Sequence, residues 1–327
     1  SSFAGQDVVE GIREDIEALG KFSDSSAEQV AEVRRTRAEI DEKLAEARAR
    51  LAIIAASRLD DDIHAEAASD VEVDPTALPE YERANELLAS FDILHFPTSF
   101  PEVFMTGDGF DVILGNPPWD KVLFEPQQFW VTRHPGLNTV PASRRDDEIE
   151  ALRQRYPQQA RDEEREQHQR EEYQRYIKAS FVDQGRGHYD YAKLFVERAT
   201  DVLADDGELG YVLPRQSLVL GGWKQLRQRL LSDRSVTVLQ ARNRGGWIFD
   251  NVHNSYMIVC ISSRPSADGG AYIWPAIEDE QAIAGLDPDR AIHLDQTELA
   301  GLTTADRLVI PWFNRSGARD VFPKMQD

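Results

Sequence analysis

The spacing of apolar residues changes character along the chain. From about Ser25 to Leu59 they recur at helical intervals, at Val33, Ile40, Leu44, Ala47, Leu51 and Ile54, with Glu, Arg and Lys between them. That spacing predicts a long amphipathic, coiled-coil-like helix, capped by Ser25 or Ser26 and carrying Glu28 in its first turn. Small and acidic residues over 60–76, ending at Pro75, predict a loop, and 80–90 predicts a second, shorter helix. At Val112, Ile113 and Leu114 the helical period gives way to a continuous apolar run. Such a run predicts a strand buried on both faces of a parallel sheet.

Pro117 and Pro118 end that strand, because each fixes its own φ, lacks an N–H and disfavours helix in the residue before it. The result is a stiff turn at the carboxyl end of a strand, the edge where open α/β sheets bind ligands. Pro126, Pro135 and Pro141 then predict an irregular loop over 120–142. Residues 144–178, rich in Arg, Glu, Asp and Gln, predict a helical insertion. Their mixed signs fit a solvated helical hairpin better than a phosphate-binding patch, and a lid or DNA-facing arm is the functional alternative.

Regular alternation resumes near Gly187. A core-facing helix is predicted through Tyr191, Leu194, Phe195, Ala199 and Leu203, broken by Asp205-Asp206-Gly207. A strand over 209–213 ends at Pro214, a helix follows through Trp223, Leu226 and Leu230, and strands are predicted at 236–239 and 256–261. Shorter strand-like pieces lie at 271–274 and 308–313. Strands alternating with helices predict an α/β fold with crossover helices.

Composition narrows the class. A length of 327 residues allows one large domain or two small ones. One cysteine, Cys260, excludes a disulfide framework and a cysteine-based zinc site, and fits a reducing cytoplasm. No apolar run is long enough to span a bilayer, and the N-terminus lacks a basic-then-apolar signal pattern. The net charge of −21 is awkward for a nucleic-acid-binding protein, whose affinity depends on phosphate contacts, so any basic surface must be local or lie elsewhere.

The chemistry concentrates at Asn116-Pro117-Pro118-Trp119. The Asn116 side-chain oxygen and the Pro117 carbonyl are both acceptors. Held at a fixed separation, they can take both hydrogens of an exocyclic amine and aim its lone pair at an electrophile. Trp119 offers a flat face for a base, worth roughly 1–3 kcal/mol in stacking.

The segment Phe110-Asp111-Val112-Ile113-Leu114-Gly115-Asn116-Pro117-Pro118-Trp119 resembles the catalytic motif of the S-adenosylmethionine-dependent N6-adenine DNA methyltransferases. Phe100-Pro101-Glu102-Val103-Phe104 looks like the segment just upstream of it in the large type IIG restriction–modification enzymes and their phage-defence relatives, including the BREX and DISARM methylases. The resemblance extends over about 85–263 through Tyr189-Asp190-Tyr191-Ala192-Lys193-Leu194-Phe195, Gly207-Glu208-Leu209-Gly210-Tyr211-Val212-Leu213-Pro214 and Ile248-Phe249-Asp250-Asn251-Val252. It implies a partial Rossmann-like methyltransferase sheet that transfers a methyl group from S-adenosylmethionine to a flipped adenine in double-stranded DNA, without a metal. It further implies that Asn116 and Pro117 hold the amine, with Pro118 stiffening the turn, and that Trp119 and Phe249 sandwich the ring. Phe100 and Pro101 would lie near the cofactor's adenine, and other subunits of a defence complex are possible partners. Arg215 and Lys193 are candidate phosphate contacts.

One expected part is missing. These enzymes bind the cofactor with a Gly-rich turn between a strand and a helix, and Gly107-Asp108-Gly109, Gly185-Arg186-Gly187 and Gly245-Gly246 all fall short of that pattern. The expectation is a fragment whose cofactor turn lies upstream, or else a degenerate enzyme. The expected divisions are a helical segment over 1–84, a catalytic region over 85–263 with an insertion at about 120–186, and over 264–327 a linker with the start of a target-recognition region. Two other functions stay open: an amine methyltransferase acting on protein or RNA, and a non-catalytic DNA-binding or scaffold subunit of a defence complex.

Overall fold

Apolar residues on both helices and strands find cover mainly on one face of a six-stranded sheet. The computed structural model describes residues 13–17 and 26–313, apart from 71, 92, 106, 251, 268, 288, 290 and 305–307. Ser25, Asn251 and the end of the 264–327 region lie outside the described residues.

The long N-terminal helix is two helices, α1 (Ala27–Lys43) and α2 (Ala45–Ala56), meeting at Leu44. Ser26 caps α1, its side chain accepting from the Gln29 N–H. α3 (Pro79–Leu88) packs on α2 around Ile53, Ala56, Ala84 and Leu88. The acidic loop between them is tied down by buried Arg50, which donates to the carbonyls of Ala68, Asp70 and Val73.

Strand β1 (Phe110–Gly115) follows. The stretch predicted as irregular contains α4 (Pro126–Arg133) and a 3₁₀ turn (Pro135–Thr139). Both prolines sit at the start of a helical element, where a missing N–H costs nothing. The polar insertion is a pair of helices, α5 (Ala142–Arg155) and α6 (Pro157–Ser180). A two-point pairing joins them: Arg153 donates to both carboxylate oxygens of buried Glu163, at 2.8 and 2.6 Å.

α7 (Tyr191–Val202) leads into β2 (Leu203–Pro214), and α8 (Lys224–Leu231) into β3 (Arg234–Arg242). Then come β4 (Met257–Pro265), β5 (Gly270–Ile277) and β6 (Ile292–Leu294). The spatial order is β1-β2-β4-β3-β5-β6. β1, β2, β3 and β5 run one way and β4 and β6 the other, so the predicted α/β sheet is present and is mixed. Asp205-Asp206-Gly207 does not break the chain before β2. It forms an irregularity within the strand, where the register against β1 jumps from Phe110↔Leu203 to Val112↔Glu208. Residues after 264 do not leave the sheet: β5 and β6 extend it, and Leu308, Ile310 and Phe313 pack into its core without forming a strand.

Two expectations about burial change. α7 and α8 lie on the face bearing Leu209, Tyr211, Leu213, Val236 and Val238. Ala192, Val196 and Ala199 form the buried stripe of α7, and Phe195 is 46% exposed. β1 is an edge strand, covered on one face only. Ile113 packs toward the core, while Val112 and Leu114 are 57% and 78% exposed. An apolar run records what a strand is suited to bury, and the described residues supply cover for only one side.

Close packing fixes Gly115 beside β2. A Cβ there would lie 2.9 Å from Cε1 of buried Tyr211. Gly115→Ala is therefore expected to destabilise the chain by about 1–3 kcal/mol through overpacking. An unchanged midpoint in chemical denaturation would contradict this.

The Arg153–Glu163 pair makes a second prediction. The Arg153 guanidinium holds the Glu163 carboxyl below its ordinary value of 4.5. A depressed folded-state pKa contributes stability that is fully present above the unfolded value and lost as pH falls through the folded one. The stability gap between wild type and Glu163→Gln should hold constant above about pH 5.5 and shrink below pH 4.5, as read by thermal melts across that range.

Candidate functional site

The carboxyl ends of β1, β2 and β3 share one edge of the sheet, and the candidate residues collect there. The chain leaves β1 through Asn116 and Pro117, with Pro117 buried and Asn116 exposed. The Asn116 amide makes no hydrogen bond to any described residue, so its oxygen is open to a ligand.

Three contacts fix the turn. The Trp119 indole N–H donates to the Val212 carbonyl of β2 at 3.3 Å. The Tyr191 N–H donates to the Asp120 carbonyl and the Val122 N–H to the Tyr189 carbonyl, pinning the chain after Trp119 to the start of α7. Asp190, between those two tyrosines, caps α7 by accepting from the Lys193 N–H at 2.8 Å. Burial pushes the Asp190 carboxyl up from its ordinary value. The Tyr189–Phe195 motif is thus the brace of the Asn-Pro-Pro turn.

Phe249 arrives from the other side, in the segment between β3 and β4. Its ring meets Trp119 with centroids 6.0 Å apart and planes at 88°. The two aromatics touch each other, edge to face. A base held between them requires parallel rings two stacking distances apart, so Phe249 must turn to admit one. Pro118 is exposed beside them.

Phe100 and Pro101 are placed differently. Phe100 packs against Phe96 and Phe110, with centroids 5.9 and 5.4 Å apart, and Pro101 is buried at the start of a short helical turn. This cluster surrounds the amino end of β1. The motif lies at the carboxyl end, a strand length away, roughly 20 Å at about 3.3 Å per residue.

Of the candidate phosphate contacts, Arg215 is exposed at the site edge, its guanidinium 5.5 Å above the Trp312 ring. Lys193 is buried and donates to the carbonyls of Gln184 and His188, at 3.0 and 2.8 Å. Burial pushes its ammonium pKa down. It holds the 184–188 loop and does not face solvent.

Gly245-Gly246 also differs from expectation. It follows strand β3 after Asn243 and Arg244, with φ of 74° and 76°, values that favour glycine. The next regular element among the described residues is a strand, β4, so the strand–turn–helix of a cofactor loop is still incomplete. The residue sequence reasoning missed is Asn243, just before this turn. It is wholly buried and bonded on every side. A single Asn before Arg-Gly-Gly carries a turn signal but nothing that marks its partners.

The Asn-Pro-Pro-Trp turn and the Phe249 ring thus meet at the carboxyl edge of an α/β sheet. Residues 161–243 match the model of the Eco57I restriction-modification methylase family, a stretch that begins downstream of the turn and runs from α6 through β3. No curated protein matches the chain. Among solved structures, a cryo-EM structure of a DrdV–DNA complex aligns at 15% identity and a TM-score of 0.28, over 37% of this chain and 14% of that one. A crystal structure of a modification subunit of a putative type I restriction enzyme from Vibrio vulnificus YJ016 aligns at 13% identity and a TM-score of 0.33, over 46% of this chain and 36% of that one. The matched region is thus a minor part of each of those chains. Among the described residues, no helix is long and apolar enough to cross a membrane.

Lys193 tests the brace. Lys193→Met leaves the Gln184 and His188 carbonyls without their donor, a loss of about 1–3 kcal/mol for the buried Gln184 carbonyl. Trypsin cleavage after exposed Arg186 should accelerate at least several-fold. An unchanged cleavage rate would show that the loop is held by other means.

Proposed function

We propose that the carboxyl edge of β1 is the target-base site of an adenine-N6 DNA methyltransferase acting in a restriction–modification or phage-defence system. The observation that carries this reading is the convergence of the unbonded Asn116 amide and the Trp119–Phe249 pair on one braced turn. The match of residues 161–243 to a restriction-modification methylase family supports the methylase part. Adenine, S-adenosylmethionine and double-stranded DNA come from the resemblance of the motif.

The N6 amine of a stacked adenine is out of reach, so the base must leave the duplex. Asn116 Oδ1 and the Pro117 carbonyl then accept its two N–H bonds, fixing the nitrogen's lone pair in one direction. They also stabilise the positive charge that grows on the nitrogen as it reacts, through dipoles already in place. Trp119 supplies a ring face and Phe249 turns to close the other, excluding water. Arg215 at the same edge is a local cation on a strongly acidic chain.

The described residues supply the base-holding half of such a site. They do not fit the cofactor half, because no glycine-rich turn joins a strand to a helix at the carboxyl edge among them. No residue here is therefore assigned to S-adenosylmethionine. That same observation favours a second reading, a non-catalytic DNA-binding subunit of a defence complex.

Asn116→Ala in the intact protein separates the two. Loss of a positioned hydrogen-bonding group at a reacting centre commonly costs about 10²–10³ in rate. Transfer of labelled methyl groups to DNA should fall by that much with cofactor binding unchanged. Retention of more than about a tenth of the rate rules out the assigned role. A wild-type protein that binds DNA but neither binds S-adenosylmethionine nor methylates DNA favours the second reading.

A further inference from the structure

Phe249 stands in an irregular segment, with Gly245 and Gly246 at positive φ just before it. Such a backbone has many conformations open to it, and something must select the one that brings the ring to Trp119. Asn243 is placed to do so. Its side chain is wholly buried. Its Nδ2 donates to the carbonyls of Phe249 and Val252, at 2.9 and 2.8 Å. Its Oδ1 accepts from the N–H groups of Ile248 and Phe249, at 3.1 and 3.0 Å. One amide thereby uses both donors and both acceptor lone pairs, the full capacity of the group. Two carbonyls on one side and two N–H groups on the other also fix which atom is oxygen.

The anchor itself is rigid. Asn243 follows β3 directly, and its own N–H donates to the Tyr256 carbonyl just before β4. Nearby, the Trp247 indole N–H donates to the Arg242 carbonyl at 2.7 Å, closing the turn from below. Phe249 is the one residue gripped at both its N–H and its carbonyl by the same side chain. Its backbone cannot shift without breaking two bonds to a buried side chain.

We infer that Asn243 is a positioning residue that sets the place of Phe249 opposite Trp119, and through it the capture of the flipped base. This rests on the reading of Trp119 and Phe249 as the base-holding pair. Asn243 touches no substrate and acts only through the backbone of Phe249. Asp would be a poor substitute despite its shape, since it turns two donors into acceptors facing two carbonyls.

The test has two readouts in the intact protein. The first needs no DNA. A 4-fluorophenylalanine at position 249 should give one sharp fluorine resonance, displaced by the Trp119 ring current, with Trp119→Ala as the control. Asn243→Ala and Asn243→Asp should move that resonance to the free-chain position, with Asn243→Ser between. Far-UV circular dichroism shows that the sheet survives, and Asn243→Ser serves as the mild variant should the others unfold. The second readout is 2-aminopurine fluorescence at the target position. Asn243→Ala and Phe249→Ala should each weaken base capture about tenfold, within the range of one lost stacking face. The double variant should be no worse than Phe249→Ala alone, because both remove the same contact.

Multiplicative losses in the double variant, or a resonance unmoved by Asn243→Ala and Asn243→Ser, would overturn the inference. If Phe249→Ala leaves capture intact while the resonance still moves, Asn243 positions the ring but the base-holding role of the pair falls, and the claim about capture falls with it.

Discussion

The site depends on how the chain is held as it leaves β1. A strand end followed by two prolines is stiff within itself, but stiffness does not aim it. The aim comes from the bond between the Trp119 indole and the Val212 carbonyl, and from the short backbone pairing of residues 120–122 with 189–191. One ties the turn to the neighbouring strand and the other to the cap of the helix that leads into that strand. The motif, α7 and β2 are thereby a single mechanical unit. Gly115 allows that unit to close, since a larger residue would meet Tyr211.

A second unit faces the first. The glycine turn, the segment carrying Phe249 and the residue before β4 are all bonded to one buried residue, Asn243 at the end of β3, and the aromatic they present meets Trp119 edge to face. The Trp119–Phe249 contact is thus made by two separately braced arms. Neither arm lies in the helical N-terminal part or the α5–α6 insertion, but α6 bears on the brace, Gln174 donating to the Val122 carbonyl and Arg170 to the Tyr191 hydroxyl.

Much of this was legible in the chain, and the exceptions have physical causes. Element types followed from period and from breakers: α7, α8 and strands β2 to β5 lie where alternation puts them, while β6 is too short to signal itself and 308–313 forms no strand. Pro126 misleads as a loop signal because a proline begins a helix as readily as it prevents one. Asp205-Asp206-Gly207 misleads because a strand absorbs extra residues as an irregularity without ending. β1 carries the pattern of a doubly covered strand, yet covering is a property of neighbours, which a local pattern cannot register. Phe195 shows the same limit on a helix. Within the site, Asn116 and Trp119 were legible because strand, turn and aromatic are contiguous. Asn243 was not, because its role consists of four bonds to a segment whose path no spacing rule describes.

The side of β1 that the described residues leave open bears on how these molecules behave toward one another. An edge strand presents a row of unpaired peptide groups, and here it also presents Val112 and Leu114 to solvent. Such an edge is a template for adding another chain. The prolines after Gly115 cap that template, since they offer no N–H for a ladder to continue. The net charge of −21 acts beyond it, keeping like molecules apart over distances that shrink as salt is added. That repulsion acts as colloidal protection against edge-to-edge association wherever β1 is left open. The ionic strength of the solution sets how far that protection reaches.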